Sequence, residues 1–351
     1  KARNPHRLRA FFNDWGVLMP AFPSRRGALA YGAGTLLAAA LPLAHAASTS
    51  TQAIWPSSTL KLIVGFPGGS SPDLVARTLA EPLAQALGQS VVVENRVGAG
   101  GNIAASTVAH ATDGHTLGVM INGNMTIAKL IQPRLNYDPL KDFAPISLIG
   151  TAPLALAAPA NAPGANAQEF FAEARKAGDT WNYATPGVGT VAHIGMELLK
   201  GKTGIQPVHV PYAGNPQVIN ALISGQVQLA LLPPAMAAAQ ARGGKLRVIG
   251  LTSASRSTLV PEYPSLAEAG VKDFNLEIWN AVAAPKSMPP QVVARLSELL
   301  AEIARRPEIR EKLFQQGWQV TGTMAEGLAR RVQSDAQLLG DVIRTRHITA
   351  Q

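Results

Sequence analysis

The sequence predicts an α/β protein of two lobes, each a mainly parallel sheet covered by helices. Three observations predict this. Strand-like and helix-like runs alternate over 60–122 and again over 180–252. Two long apolar pieces, 145–159 and 276–285, follow the first and second series. The remaining C-terminal stretch has apolar residues at helical spacing and no evident sheet of its own.

In the first series, "LKLIVGF" (60–66), "SVVVENR" (90–96) and "HTLGVMIN" (115–122) read as strands. "PDLVARTLAEPLAQAL" and "NIAASTVAHA" read as the helices between them. Such a βαβαβ order implies a parallel sheet with both faces covered. The second series has strands at 180–186, 206–212, 227–233 and 246–252, with helices in "VAHIGMELLKGKTG" and "PQVINALISGQ". The C-terminal helices are expected to pack back on the first sheet. The chain then crosses between lobes twice, at 145–159 and 276–285. This assigns 54–150 and 280–351 to the first lobe and 151–279 to the second. Two crossovers make a hinge, and the groove between lobes is the natural place for a ligand.

The N-terminus reads as an address. In "SRRGALAYGAGTLLAAALPLAHAASTS", Arg25 and Arg26 form a positive region, Ala28–Leu43 an uncharged apolar stretch, and Ala44-His45-Ala46 a small-x-small cleavage site. The stretch has 16 residues, fewer than the roughly 20 that a bilayer span needs. Residues 1–46 are therefore expected to be a cleaved export signal with an N-terminal extension. Residues 1–18 do not fit such a signal, and Met19 would open one of ordinary length. The Arg pair leaves general and twin-arginine export open. The expected destination is the periplasm.

Composition limits the chemistry. The chain has 351 residues, 47% hydrophobic and 15% charged, and no cysteine. Thiolate catalysis, disulfides and Cys-ligated metals are excluded. The net charge of +9 is concentrated at the start. Without the six basic and one acidic residues of 1–46, 25 basic and 21 acidic residues remain, a balance of +4. That balance, with no Lys/Arg stripe among aromatics, does not point to nucleic acid.

Candidate binding residues fall at strand-to-helix turns. In "GFPGGSSPD", Phe66 ends a strand, Pro67 follows, and Gly68 and Gly69 permit a sharp turn. Ser70 precedes Ser71, which suits an N-cap, with Pro72 at the first helical position and Asp73 in the first turn. The unpaired amides of such a turn suit a carboxylate or phosphate. "YATPGVGTVAH" repeats the device: Thr185, Gly187, Gly189 and Thr190 surround the turn, and His193 lies one turn into the helix. A negative side chain placed at Gly189 is expected to block an anion there. In "VPYAGNPQ", Tyr212 offers a hydroxyl and Gly214 a close backbone approach. Each of these residues has a plain structural alternative as a cap, a turn former or a buried side chain. Asn102, Asn122 and Asn124 are weaker candidates. No acid lies between Glu197 and Glu262, whereas Lys200, Lys202, Arg242, Lys245, Arg247 and Arg256 do, which biases the second lobe toward anions.

Rival chemistries are poorly supported. Gly187-x-Gly189-x-x-Ala192 matches a dinucleotide fingerprint, but the next strand ends Val210-Pro211-Tyr212 without the acid a ribose needs. There is no P-loop, no His-Glu-x-x-His and no Gly-x-Ser-x-Gly elbow. No cofactor and no metal are expected. A hydrolase stays open only because triad partners can be distant in sequence.

Several motifs then come in a fixed order: "LIVGFPGGSSPDLVAR", "LGQSVVVENRVGAGGNIAAS", "DGHTLGV", "YDPLKDFAPISLIG", "YATPGVGTVAH", "VPYAGNPQVINALISGQV", "KLRVIGLTSASRS", "EYPSLAEAG" and "EIWNAVAAP". In this order the chain resembles the Bug proteins, the extracytoplasmic solute receptors of the tripartite tricarboxylate transporters, from about residue 56 to the C-terminus. The resemblance implies a two-lobed periplasmic-binding-protein fold of the second type. It implies capture of a small carboxylate without chemistry, and integral membrane subunits that accept the ligand; the receptor itself is expected to be a monomer. It also implies that Phe66–Asp73 and Thr185–Thr190, with His193 nearby, hold the carboxylate. The chain departs from the family pattern at Gly69-Ser70, where two glycines are usual. It departs again at Leu232, where aspartate is common, and at Trp279-Asn280-Ala281, where Trp-x-Gly is usual. A ligand sensor that presents its closed form to a membrane receptor would have the same sequence features.

Overall fold

The computed structural model describes residues 55–345 together with 348 and 349. The expected export signal, 1–46, lies outside the described residues. The strands are β1 (Leu60–Val64), β2 (Val91–Asn95), β3 (Thr116–Ile121), β4 (Phe143–Pro153), β5 (Ala155–Pro159), β6 (Asn182–Thr185), β7 (Val208–Pro211), β8 (Leu229–Leu232), β9 (Leu246–Leu251), β10 (Glu277–Pro285) and β11 (Gln319–Val320). The helices are α1 (Ser71–Leu87), α2 (Asn102–Ala109), α3 (Asn122–Thr126), α4 (Ala128–Ile131), α5 (Ala167–Ala177), α6 (Val191–Thr203), α7 (Asn215–Ile223), α8 (Pro234–Arg242), α9 (Pro290–Arg305), α10 (Pro307–Gln315) and α11 (Ala325–Thr345).

Two sheets organise these elements, in the strand orders β11-β4-β10-β3-β1-β2 and β7-β6-β8-β5-β9. Both are mixed, which corrects the expectation of mainly parallel sheets. In the first, β1 pairs parallel with β2 and β3, whereas β10 runs antiparallel to β3 and β4, and β11 antiparallel to β4. In the second, β6 pairs parallel with β7 and β8, and β5 runs antiparallel to β8 and β9. The reversals of β5 and β10 come from the crossovers. A strand arriving from the opposite lobe enters its new sheet from the far end, so β5 and β10 insert against the local strand direction.

The apolar run 145–159 is two strands in two sheets, broken at Leu154. Thr252 ties this crossing to the second one. Its Oγ1 accepts from the Leu154 amide (2.7 Å) and donates to the Leu276 carbonyl (2.6 Å). Its amide donates to the Leu154 carbonyl and its carbonyl accepts from the Leu276 amide. Thr252 is fully buried, so this stitch replaces all the water its polar groups would otherwise bind.

The cores follow the sheets. Leu62, Val64, Leu79, Leu83, Val282, Leu296 and Leu300 fill one face of the first sheet. Burial of each such side chain stabilises the fold by about 1.5–3 kcal/mol. The C-terminal helices α9 and α10 pack there as expected, through Leu296, Leu300, Ile309 and Leu313. Helix α11 does more than expected. Leu328 and Val332 join Trp279 in a core of the first sheet, but Leu339 and Ile343 pack with Val191 and Ile194 beside the second. Helices α5 and α8 and strand β11 were not anticipated; α8 is so rich in Ala that it lacks an apolar period.

Candidate functional site

The glycine-rich turn after β1 is held by one buried carboxylate. Asp73 Oδ2 accepts from the Gly69 amide (2.9 Å) and Oδ1 from Asn95 Nδ2 (2.8 Å), and Arg77 Nε reaches both oxygens (3.1 and 3.0 Å). Burial pushes the Asp73 carboxyl up, but these bonds and the Arg77 charge outweigh it and hold the group below its ordinary 3.8. The N-cap of α1 is Ser70, extended at φ −74° and ψ 160°, and Ser71 is already helical. This corrects the expected register by one residue and puts Pro72 at the second helical position. Ser70 makes no capping bond, and its hydroxyl is buried without a partner. The charges of Asp73 are consumed within the turn, so it serves as a brace.

The turn after β6 is held by uncharged groups. Thr185 Oγ1 donates to the Gly187 carbonyl and accepts from its amide (3.2 Å each). Thr190 caps α6: its hydroxyl donates to the Gly187 carbonyl (2.8 Å) and accepts from the His193 amide (3.4 Å). His193 Nδ1 accepts from the Gly189 amide (3.4 Å). Beneath, His193 stacks on His209 (4.3 Å between ring centres) and His209 on Tyr183 (4.8 Å). His209 Nε2 lies 2.6 Å from Thr185 Oγ1. Burial, helped by the neighbouring His193, pushes the His209 ring down from 6.5 to about 4. Burial also lowers His193. Both rings are therefore neutral near pH 7. Sequence reading missed His209; its position at the centre of β7, pointing under the neighbouring turn, becomes visible only through the parallel register with Tyr183.

Between the sheets lies a cavity of about 50 Å³. Of the anticipated residues, Phe66, Ser70, Ser71 and Thr190 line it, as does Asn122 of the weaker candidates. Pro67, Gly68, Gly69, Asp73, Thr185, Gly187, Gly189, His193, Tyr212 and Gly214 lie behind or beside its wall. Four of these mark where the two sides touch. A Cβ on Gly187 would meet Gly100 Cα at 2.7 Å, one on Gly123 the Gly189 carbonyl oxygen at 2.6 Å, and one on Gly214 the Pro67 ring at 2.7 Å. The backbones of the two sides are thus in contact, and the arrangement is closed. A side chain on Gly189 would face Ile131, and its φ of +80° would strain any such residue. An Asp there would consequently not report on the cavity. Tyr212 packs beside the second core, and its amide donates to the Thr185 carbonyl.

The cavity wall combines four helix N-termini. Ser71 and Pro72 open α1, Val191 and Ala192 open α6, Asn215 opens α7, and Pro233 precedes α8. The first amides of a helix have no intrahelical partner and carry the positive end of its dipole. Reading from sequence pointed to three of these turns and missed α8. The wall has no ionised side chain. Five of the six basic residues noted between Glu197 and Glu262 point elsewhere: Lys200 to Glu197, Arg242 to Glu262, Arg256 to Glu268, and Lys202 and Arg247 to backbone carbonyls.

Five side chains bring buried atoms without protein partners to this one cavity: Ser70 Oγ, Asn122 Oδ1, Asn215 Oδ1, Trp318 Nε1 and both amide atoms of Asn280. Buried polar atoms are paired in native proteins as a rule, so six orphans around one space mark it as built for a polar guest. Asn280 was missed as a site residue. The signal was present as a lone carboxamide within "EIWNAVAAP", a strand whose other residues after Glu277 are apolar.

Comparison with known proteins agrees with this geometry. The model of the "Tripartite tricarboxylate transporter family receptor" matches residues 75–348. The chain belongs to that receptor family. A UPF0065 protein of Bordetella bronchiseptica is 34% identical over 311 residues, covering 88% of this chain and 91% of that one. The protein BugT of Bordetella pertussis is 31% identical over 265 residues, 75% of this chain and 81% of that one. Among solved structures, MatC of Rhodopseudomonas palustris with bound malate superposes at a TM-score of 0.78 with 32% identity, over 82% of this chain and all of that one. The periplasmic binding protein BugD gives 0.79 and 30% over 84% of this chain and all of that one. A second Rhodopseudomonas palustris protein, with adipate, gives 0.81 and 29% with the same coverage. The receptor accordingly has the two-lobed α/β fold of periplasmic solute-binding proteins, and its relatives are receptors and not enzymes.

Proposed function

We propose that this receptor is exported to the periplasm through the signal within 1–46, closes as a monomer on a small carboxylate, and hands it to integral membrane subunits of a tripartite transporter. In this reading residues 54–150 with 280–351 form one lobe and 151–279 the other, and Phe66–Asp73 and Thr185–His193 frame the ligand. The observation that carries it is the cavity with four converging helix N-termini and no ionised side chain. Such a site stabilises negative charge by dipoles and amides alone. Its relatives with bound malate and adipate support the choice of a carboxylate over other anions. The cavity of about 50 Å³ has room for roughly three to five water-sized spheres, which favours a short acid.

A thermal-shift screen of short carboxylates against the exported form tests this. A cognate acid at 100 times its Kd should add about 2.7 kcal/mol of apparent stability, without turnover. No stabilisation by any carboxylate, with stabilisation by phosphate or sulfonate instead, would overturn it.

A further inference from the structure

The orphaned atoms also specify what else the ligand must carry. Asn122 Nδ2 donates to the Glu277 carbonyl (3.0 Å), which fixes Asn122 Oδ1 as the free end, buried and unpaired. That atom only accepts. A carboxylate also only accepts, so it cannot satisfy Asn122. Asn280 lines the same small cavity, on strand β10 where it pairs with Ile121, the residue before Asn122. Both Asn280 amide atoms are free. Between them these two side chains offer an acceptor and a donor to one small group, which a hydroxyl satisfies from both sides. An ammonium fits poorly. No acidic side chain lines the cavity, Asp73 is bound by Arg77, and four helix N-termini make the space unfavourable to a cation.

From this we infer that the ligand is a short hydroxy-carboxylic acid, and that Asn122 and Asn280 select it by its neutral O–H group. The inference rests on the carboxylate reading and narrows it. The carboxylate takes the helix amides, with the Trp318 indole N–H and the Ser70 hydroxyl as the other free donors. The hydroxyl donates to Asn122 Oδ1 and accepts from Asn280 Nδ2. The carbon chain lies against Ile121, Leu154 and Ile278. An acid without the hydroxyl leaves a buried acceptor unpaired, a loss of roughly ten- to hundredfold in affinity.

Calorimetric titration with two matched series tests it: lactate, propionate and alanine, then malate, succinate and aspartate. In at least one series the hydroxy acid should bind at least about tenfold tighter than both partners. Deoxy acids that bind as tightly as the hydroxy acids would overturn the inference and leave the carboxylate reading standing. Failure of all six, and of a wider carboxylate screen, would overturn both. Asn280→Ala removes only unpaired atoms, so the fold should persist. It should bring the hydroxy-to-deoxy affinity ratio toward one. An unchanged ratio would contradict the assignment. Asn122→Ala should act in the same direction, though it also frees the Glu277 carbonyl.

Discussion

The two turns that face each other across the cavity do the same task with opposite materials. On the first side, a buried carboxylate gathers an amide, a carboxamide and a guanidinium: Asp73 with Gly69, Asn95 and Arg77. On the second side, hydroxyls and two neutral imidazoles do the bracing: Thr185, Thr190, His193 and His209. Both end at a helix whose first residues line the cavity. What a ligand sees is therefore similar, whereas what holds each turn responds differently to acid. An anion site without cationic side chains needs rigid backbones, because a dipole stabilises charge only while it points the right way.

The largest effect should come from breaking the contact between the turns. Gly123 has no left-handed backbone requirement, yet a Cβ there would press on the Gly189 carbonyl of the other side. Gly123→Ala should block closure and lower ligand affinity roughly hundredfold, by removing contacts made only in the closed state. Folding stability should stay within about 1 kcal/mol. Calorimetry and small-angle scattering read the two outcomes; tight binding with a compact liganded form would show that closure does not depend on this contact.

Next comes the charged brace. Asp73→Ala should destabilise the protein by about 2 kcal/mol, because it removes the buried acceptor shared by the Gly69 amide, the Asn95 carboxamide and Arg77. Arg77 is more than half exposed and regains water. Asp73→Asn should cost less. Chemical denaturation measures both, and a loss under about 0.5 kcal/mol would deny Asp73 its bracing role.

Acid then separates the sides. The His209 ring is lowered in the fold to about 4 from 6.5, so the unfolded chain binds more protons between those values. The stability this ring contributes is full above about pH 6.5 and is lost as pH falls to about 4, on the order of 1–2 kcal/mol after allowing for partial exposure. Asp73, held below 3.8, contributes above that value and fails only at lower pH. His209→Gln should shrink the upper window to the part that His193 contributes and leave the lower one, and Asp73→Ala should remove the lower window and leave the upper. Denaturation midpoints followed from pH 7 to 3 in both variants check this; identical profiles would refute the distinction.

The smallest effect belongs to a single cap. Thr190→Ala removes the bond to the Gly187 carbonyl and the cap of α6, costing about 1 kcal/mol. Thr190→Ser should recover most of it in the same denaturation assay.

The comparison also shows where sequence is legible. Turns betray themselves through Gly, Pro and hydroxyl residues, so the turns at Gly68, Gly189 and Gly214 were found, with the first cap misplaced from Ser70 to Ser71. Strand existence was read from apolar runs, but strand direction was not. A run such as 145–159 does not announce that it changes sheet at Leu154, and hence the mixed sheets were missed. The polar lining was the least visible. Asn215 and Asn280 each stand alone among ordinary neighbours, and only the fold gathers them with Asn122 and Trp318 around one space.

The most direct test of the central claim is a crystal structure of the receptor with its tightest-binding acid. The account predicts a carboxylate between the N-termini of α1 and α6, within hydrogen-bond distance of amides from both. An acid bound outside this cavity, or one held there by Lys or Arg side chains, would contradict it.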